Sequence, residues 1–264
     1  MKIYLQDKKC LAFFEQKATS AFWDAHWETK ALAQMIQSSK SDPFFLPQVK
    51  KYLSKQSLIL EGGCGRAQIV HALVYQGYKA IGIDFAEQTV KAVHRAVPEL
   101  DVGIGDVFHL PFKENSFDGY ISAGVIEHFW EGYDGILKEM QRIIKPGGVL
   151  FLSFPCMSFL RKVKAFSKTY RSMASGEAEA FRKTFYQFAL NWRHVASDCQ
   201  RQGFRLIARK KYDGLKGFKD EFTWFKPLLQ PIYDGQSSRS LRSFLNRFFT
   251  PLAYHCILLV LQNK

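Results

Sequence analysis

The stretch Leu58-Ile59-Leu60-Glu61-Gly62-Gly63-Cys64-Gly65-Arg66-Ala67-Gln68-Ile69-Val70-His71-Ala72-Leu73, followed by Gly77 and then Lys79-Ala80-Ile81-Gly82-Ile83-Asp84, decides the fold. An apolar run after polar Lys55-Gln56-Ser57 predicts a buried strand, and the glycines predict a tight turn. Ile69, Ala72 and Leu73 then recur at helical spacing. The unit is strand, glycine turn, helix, strand. Two nucleotide-binding patterns compete for such a turn. A dinucleotide fingerprint places a third glycine three residues after the second, where helix and strand pack closely over a pyrophosphate. Gln68 stands at that place. The simpler alternative is an ordinary strand-to-helix turn of a parallel sheet, with Asp84 as a helix N-cap.

Composition bounds the rest. A chain of 264 residues with 47% hydrophobic content is long enough for one well-buried domain with insertions. Met1 to Lys9 runs straight into mixed polar sequence, and the longest late apolar run, Cys256 to Leu261, is far short of a membrane span. The expectation is a cytoplasmic chain. Its five cysteines, at 10, 64, 156, 199 and 256, form no Cys-x-x-Cys pair, so neither a zinc site nor a disulfide framework is indicated and no metal is expected. Charge is informative when split. Residues 1–150 carry 17 Lys+Arg and 17 Asp+Glu, whereas 151–264 carry 20 and 7, so the whole excess of +13 lies in the second part. That asymmetry points to an anionic partner: a lipid surface, an acidic or phosphorylated substrate, or nucleic acid.

Outward from the central unit, helical periodicity over Leu11 to Gln37 predicts two helices broken near Thr19-Ser20, with a short helix at Gln48 to Leu53. After Asp84, Glu87 to Ala96 reads as a helix closed by Pro98, and Leu100 to Gly105 as a strand ending in Asp106. Gly119 to Ala123 is the next strand, leading into Gly124-Val125-Ile126-Glu127-His128. A helix over Tyr133 to Ile144 stops at Lys145-Pro146-Gly147-Gly148, and Val149 to Phe154 is the fifth strand. Asn191 to Gln202 reads as a helix, Phe204 to Lys211 as a strand, and His255 to Gln262 as the last strand.

The turn Glu61, Gly63, Gly65, Ala67, the acid Asp84, and the patterns Gly105-Asp106, Leu110-Pro111-Phe112, Ser116-Phe117-Asp118 and Lys145-Pro146-Gly147-Gly148 together resemble class I S-adenosylmethionine-dependent methyltransferases, in particular the subgroup acting on small molecules and lipids. The resemblance covers Leu58 to Pro155. It implies an α/β fold with a Rossmann-like seven-stranded sheet, six strands parallel and the last antiparallel, helices on both faces, and two helical insertions. It implies one domain: an N-terminal helical cover over 1–54, a cofactor-binding core over 55–155, and substrate-side insertions at 156–190 and 212–254.

The cofactor implied is S-adenosyl-L-methionine, held by Glu61, Gly63, Cys64, Gly65, Asp84, Phe85, Asp106, Val107 and Gly124. Gly63 and Gly65 would lie against its methionine part, Asp84 would accept from the ribose hydroxyls, and Asp106 would meet the adenine amino group. For a hydroxyl acceptor a general base helps, and His128, with His26 second, is the candidate. Trp23 and Trp27 stand where such a pocket would be lined, although aromatics at helical spacing also serve as plain core.

Both insertions are basic and aromatic. Phe159, Val163 and Phe166 share a face in the first, and Leu241, Phe244, Leu245, Phe248 and Phe249 form a stripe in the second. Two readings stay open: amphipathic helices resting on an anionic membrane surface, or a lid packed on the domain with a solvated charged face. The function expected is methyl transfer to a hydroxyl of a lipid-linked, glycan or natural-product acceptor. RNA methylation is the alternative within enzymes, disfavoured because Ser122-Ala123-Gly124-Val125 stands where amino-group methylators of nucleic acid carry an Asn/Asp-Pro-Pro-Tyr-type stretch. A non-catalytic cofactor-binding or membrane-docking partner is the alternative outside them.

Overall fold

The computed structural model describes residues 1–27, 32–40 and 42–264; the side chains of His26 and Trp27 lie outside that description. Lys2–Leu5 (β1) and Cys10–Phe14 (β2) open the chain as strands. Ser20–Trp27 (α1), Leu32–Ser38 (α2) and Phe45–Tyr52 (α3) follow. Asp42 starts α3, its Oδ1 accepting from the amides of Phe44 at 2.9 Å, of Phe45, and of Leu46 at 3.3 Å. The central unit is Leu58–Gly62 (β3), Gln68–Tyr75 (α4) and Lys79–Asp84 (β4). Glu87–Ala96 (α5), Val102–Ile104 (β5), Phe117–Ala123 (β6) and Asp134–Ile143 (α6) follow close to the expected boundaries, and Ile144–Pro155 (β7) starts earlier than expected.

The later part runs Phe159–Phe166 (α7), Arg171–Met173 (β8), Ser175–Ala178 (α8), Phe185–Ala189 (β9), Trp192–Arg201 (α9) and Phe204–Tyr212 (β10). Gly214–Glu221 (α10), Lys226–Tyr233 (α11), Arg239–Ala253 (α12) and Cys256–Asn263 (β11) finish it.

A seven-stranded sheet has the order β10-β11-β7-β6-β3-β4-β5, and β3 runs parallel to both β4 and β6. The order places the last strand between the fifth and sixth of the sheet, as expected. Its direction follows from its ends. The amide of Cys156, just past the end of β7, bonds the carbonyl of His255, just before β11, and Asn263 at the far end of β11 bonds Ile144 at the start of β7 at 2.7 Å. β11 is therefore antiparallel to β7. Strands buried on both faces read as continuous apolar runs, and Ile59, Leu60, Ile121, Leu150, Phe151 and Leu152 are all fully buried.

The chain divides into two compact units. One comprises residues 18–152, 197–208 and 259–264; the other comprises 1–17, 153–196 and 209–258. The second holds a sheet that sequence reasoning missed, in the order β8-β1-β2-β9. Leu11 onward is accordingly not the start of a helix: Cys10 to Phe14 pairs antiparallel with β1 on one side and β9 on the other. Five consecutive residues buried in a strand present the same short apolar run that a buried helix segment would, and periodicity alone does not separate the two. A second correction concerns Lys145 to Gly148, expected as a turn: β7 begins at Ile144 and runs through it. Lys145 Nζ is tied to Asp118 Oδ1 at 2.7 Å, and Asp118 Oδ2 accepts from the Leu58 amide at 2.8 Å, so these residues anchor the entry ends of β3 and β7.

Candidate active site

The turn after β3 is built from residues with left-handed backbone. Gly63 has φ 77° and Gly65 φ 50°, a region glycine enters without a Cβ penalty, and Ala67, just before α4, adopts φ 55°. The amides of Gly63 and Cys64 both bond the Ile83 carbonyl, at 2.8 and 2.9 Å, which lays the turn over the end of β4. Cys64 is buried, its Sγ lying 2.8 Å from where a Cβ on Gly82 would stand. Glu61 is buried too, and its Oε2 accepts from the Val70 amide at 3.2 Å. Desolvation pushes its carboxyl well up, against the pull of that amide. The arrangement makes Glu61 the group that fixes the first turn of α4 over the glycines.

Asp84 closes β4 and ties the turn to the next loop. Its Oδ2 accepts from the Gly65 amide and its Oδ1 from the Ala86 amide, both at 2.8 Å. Burial raises its pKa, opposed by those amides. Beside it in the sheet stands Ile104, its register partner at the end of β5. Phe85 and Ile104 are 45% and 54% exposed, large apolar side chains at the carboxyl ends of adjacent parallel strands. Asp106 follows two residues after Ile104, with Oδ1 accepting from the Phe108 amide at 2.9 Å, and Val107 is buried. A flat apolar ring with a polar edge fits such a surface: apolar Phe85 and Ile104 for the face, and the Asp106 carboxylate for an amino group. The donors and acceptors present therefore suit a purine nucleoside. Ile104 was missed in the sequence, where its signal was only its place before Gly105-Asp106.

The loop after Asp106 is held from below. Glu139 Oε2 accepts from the Leu110 amide at 2.8 Å, while Arg142 donates to the carbonyls of Phe112 at 2.7 Å and Leu110 at 3.0 Å. Phe108 of this loop meets Phe129 edge to face at 4.9 Å, joining it to the segment after β6.

At the end of β6, Gly124 has φ 75°. Val125 packs on the glycine turn so closely that a Cβ on Gly63 would lie 2.5 Å from Val125 Cγ2. Gly63 and Gly124 are thus brought together, as the strand order requires. Ile126 to His128 forms a short 3-10 turn. Glu127 is buried; desolvation pushes its carboxyl up to about 8, and its Oε2 has no hydrogen-bond partner among the described residues. The neighbouring His128 is half-buried, with its ring edge to face on Trp23 at 5.1 Å.

That contact belongs to α1, which reaches both halves of the site. Ser20 Oγ donates to the Phe85 carbonyl at 3.2 Å. Asp24 Oδ1 accepts from the amide and hydroxyl of Thr89, at 2.8 and 2.9 Å, so α1 caps the start of α5 while Trp23 covers His128. Neither Ser20 nor Asp24 was singled out in the sequence, since a serine and an acid on a short helix carry no signal of a distant partner. His26, the second candidate base, lies with its side chain outside the described residues. Among those residues no three His, Cys, Asp or Glu side chains gather to hold a metal ion.

Residues 60–152 match the methyltransferase domain family. A probable S-adenosylmethionine-dependent methyltransferase of Mycolicibacterium smegmatis is 33% identical over 97 residues, 37% of either chain. A probable tRNA methyltransferase 9B of Bos taurus is 34% identical over 111 residues, 40% of this chain and 24% of the relative. A demethylmenaquinone methyltransferase of Lysinibacillus sphaericus is 32% identical over 100 residues, 36% of this chain and 42% of the relative. The matched stretch is thus less than half of each relative. In fold, a SAM-dependent methyltransferase from Methanosarcina mazei superposes with a TM-score of 0.57 over 82% of this chain and 97% of that one, at 16% identity.

Proposed function

We propose, from the premise that residues 60–152 are a class I S-adenosylmethionine-dependent methyltransferase domain, that this chain transfers a methyl group to a hydroxyl of a small-molecule acceptor of lipid-linked, glycan or natural-product type. The observation that carries the reading is the cradle at the ends of β3, β4 and β5: left-handed Gly63 and Gly65, the carboxylate of Asp84 fixed by two amides, and exposed Phe85 and Ile104 beside Asp106. Bound S-adenosylmethionine supplies a methyl group already activated as a sulfonium, with a neutral leaving group. The protein's task is then to hold the acceptor oxygen close and in line. His128 would take the acceptor's proton, with Trp23 set against one side of its imidazole. The demethylmenaquinone methyltransferase among the relatives supports a small-molecule acceptor. The tRNA methyltransferase relative and the basic second part of the chain support RNA as the second reading.

The test begins with calorimetric binding of S-adenosylhomocysteine to the wild type and to Asp84→Ala. Loss of a charged hydrogen-bonding group is expected to weaken binding by about 1.5–3 kcal/mol, roughly tenfold to a hundredfold. A well-folded wild type that binds nothing would sink the methyltransferase reading. Incorporation of labelled methyl into the lipid or small-molecule fraction of a cell extract, against its RNA fraction, separates the two acceptors. Label confined to RNA would overturn the first.

A further inference from the structure

Helices α7, α11 and α12 belong to one compact unit, with α12 lying against both of the others, and they leave large apolar side chains facing water. On α7, Arg161 is buried and reaches Glu221, while Phe159, Val163 and Phe166, three and four residues apart, share the outward side; Phe166 is 91% exposed. On α12, Leu241, Phe244, Phe248 and Leu252 recur at the same spacing and are all exposed. The opposite side of α12 is the packed one. A Cβ on Gly214 of α10 would stand 2.2 Å from the Thr250 amide nitrogen, and one on Gly217 would stand 1.7 Å from the Ala253 carbonyl oxygen. Backbone meets backbone there, and Phe249 stacks inward, on Phe218 with ring centres 4.0 Å apart. The aromatic stripe is left facing out. Between these helices in the chain, Trp224 is 83% exposed and Leu228 of α11 is exposed with it. Water-facing apolar residues scattered singly need no explanation, but stripes on two touching helices, with Trp224 and Leu228 added from the chain between them, do.

We infer that the outward faces of α7, α11 and α12 form a docking surface for an anionic lipid bilayer. Charge selects this occupant. Residues 156–168 and 223–253 hold Lys162, Lys168, Lys226, Arg239, Arg242 and Arg247 in addition to the Arg161 and Lys164 tied to Glu221, against Asp234 as their one acid. Apolar side chains inserting at the headgroup boundary and basic side chains reaching anionic headgroups are the two signals that together give stable peripheral binding. A second copy of this chain, meeting the face by a two-fold axis, would set its cations against cations. Single-stranded RNA stacks on aromatic rings, yet Val163, Leu228, Leu241 and Leu252 offer it no stacking surface. The bilayer uses every residue of the stripe. Among the described residues no helix is long and apolar enough to cross a membrane, so the contact is peripheral. The inference concerns the unit that does not contain the methyltransferase domain, so its failure would leave the reading of that domain standing.

The experiment is sedimentation with vesicles of phosphatidylcholine alone or mixed with phosphatidylglycerol, over a salt series. The wild type is expected to bind the anionic vesicles at least about tenfold more tightly than the neutral ones, with the difference shrinking as salt rises. Phe166→Ser/Phe244→Ser and Lys226→Glu/Arg247→Glu should each reduce binding about tenfold or more. All four positions are exposed, so circular dichroism and S-adenosylhomocysteine binding should stay unchanged. Absence of sedimentation by folded wild type would overturn the inference, as would binding indifferent to Phe166→Ser/Phe244→Ser. An RNA gel shift abolished by the same variants without vesicle binding, or a concentration-dependent dimer abolished by them, would equally overturn it.

Discussion

Arg161 Nε donates to Glu221 Oε1 at 3.1 Å with both side chains 1% exposed, a buried ion pair 60 residues apart in sequence. The carboxylate is shared: Lys2 and Lys164 each reach it at 3.1 Å, and the Tyr170 hydroxyl donates to Oε2. Arg161 in turn donates to the Cys156 carbonyl at 2.8 Å, which ties α7 to the end of β7. Burial alone would push the Glu221 carboxyl up, but Arg161, Lys2 and the Tyr170 hydroxyl outweigh it and hold it below the usual range. A depressed carboxylate contributes stability above its unfolded pKa and loses it as pH falls through the folded one. Glu221→Gln should therefore cost about 3–5 kcal/mol near neutral pH, read from urea denaturation, because Arg161 is left buried without its counter-charge. The difference from wild type should shrink below about pH 4. A variant as stable as wild type at neutral pH would mean that Arg161 finds another partner or escapes to water.

His255 extends the same cluster and sets a separate, milder acid limit. Its Nδ1 accepts from Arg161 Nη2 at 3.0 Å, so the imidazole is neutral. Burial first, and then Arg161, Lys216, Lys2 and Lys219, push its pKa well below 6.5, although Asp220 Oδ2 lies 4.0 Å away. The unfolded chain takes up a proton below about pH 6.5 that the folded chain refuses, so this contribution is intact above that pH and lost as pH falls. Between pH 6 and 5 wild type should lose about 1 kcal/mol per pH unit from this site. His255→Gln should lower stability at neutral pH and flatten that dependence. An unchanged slope in the variant would assign the acid sensitivity elsewhere.

What the sequence disclosed and what it hid follow the range of the interactions. Leu58 to Pro155 was legible because its signals are local: glycines where φ is positive, acids at strand ends, helices closed by proline or glycine. The strand at Cys10 to Phe14 was not, because an unbroken apolar run takes its conformation from pairing with Lys2–Leu5 and Phe185–Ala189. In sequence, Arg161 and Lys164 stand as ordinary basic residues beside the Phe159, Val163 and Phe166 face. Only Glu221, folded back from far along the chain, turns these two inward and the phenylalanines outward. Within the candidate site the residues at strand ends carry local signals and those arriving from α1 do not: Ser20 and Asp24 acquire their meaning from Phe85 and Thr89.

Glu127 gives a pH dependence of the opposite sign. Its carboxyl ionises at about 8 in the folded chain because burial disfavours the charge, whereas the unfolded chain ionises near the ordinary glutamate value. The folded chain therefore binds the extra proton between those limits, and stability falls as pH rises through them, reaching its full loss above about 8. Glu127→Gln keeps the shape without the titration. Relative to wild type it should gain stability steadily from pH 5 to 8, on the order of a few kcal/mol at most, by thermal or urea denaturation. A constant difference across that range would show that Glu127 is not protonated in the folded chain.

The Tyr120 ring of β6 reaches diagonally to the space beside Gly62 of β3, and their fit carries the last expectation. A Cβ on Gly62 would stand 1.9 Å from Tyr120 Oη and 2.6 Å from its Cζ. Tyr120 is fully buried, and its hydroxyl has no hydrogen-bond partner among the described residues. Gly62→Ala should therefore cost about 1–3 kcal/mol through overpacking, because the ring is locked inside the sheet. Tyr120→Phe removes a hydroxyl that gains nothing by being buried, so its stability should stay within about 1 kcal/mol of wild type. Combining them removes the atom closest to the new methyl, and the double variant should recover about 1 kcal/mol relative to the sum of the singles. Strict additivity in urea denaturation would show that the sheet yields at Gly62 by moving backbone instead. Such a movement would reach Gly63, the next residue, and would then appear as weakened S-adenosylhomocysteine binding in Gly62→Ala that Tyr120→Phe does not restore.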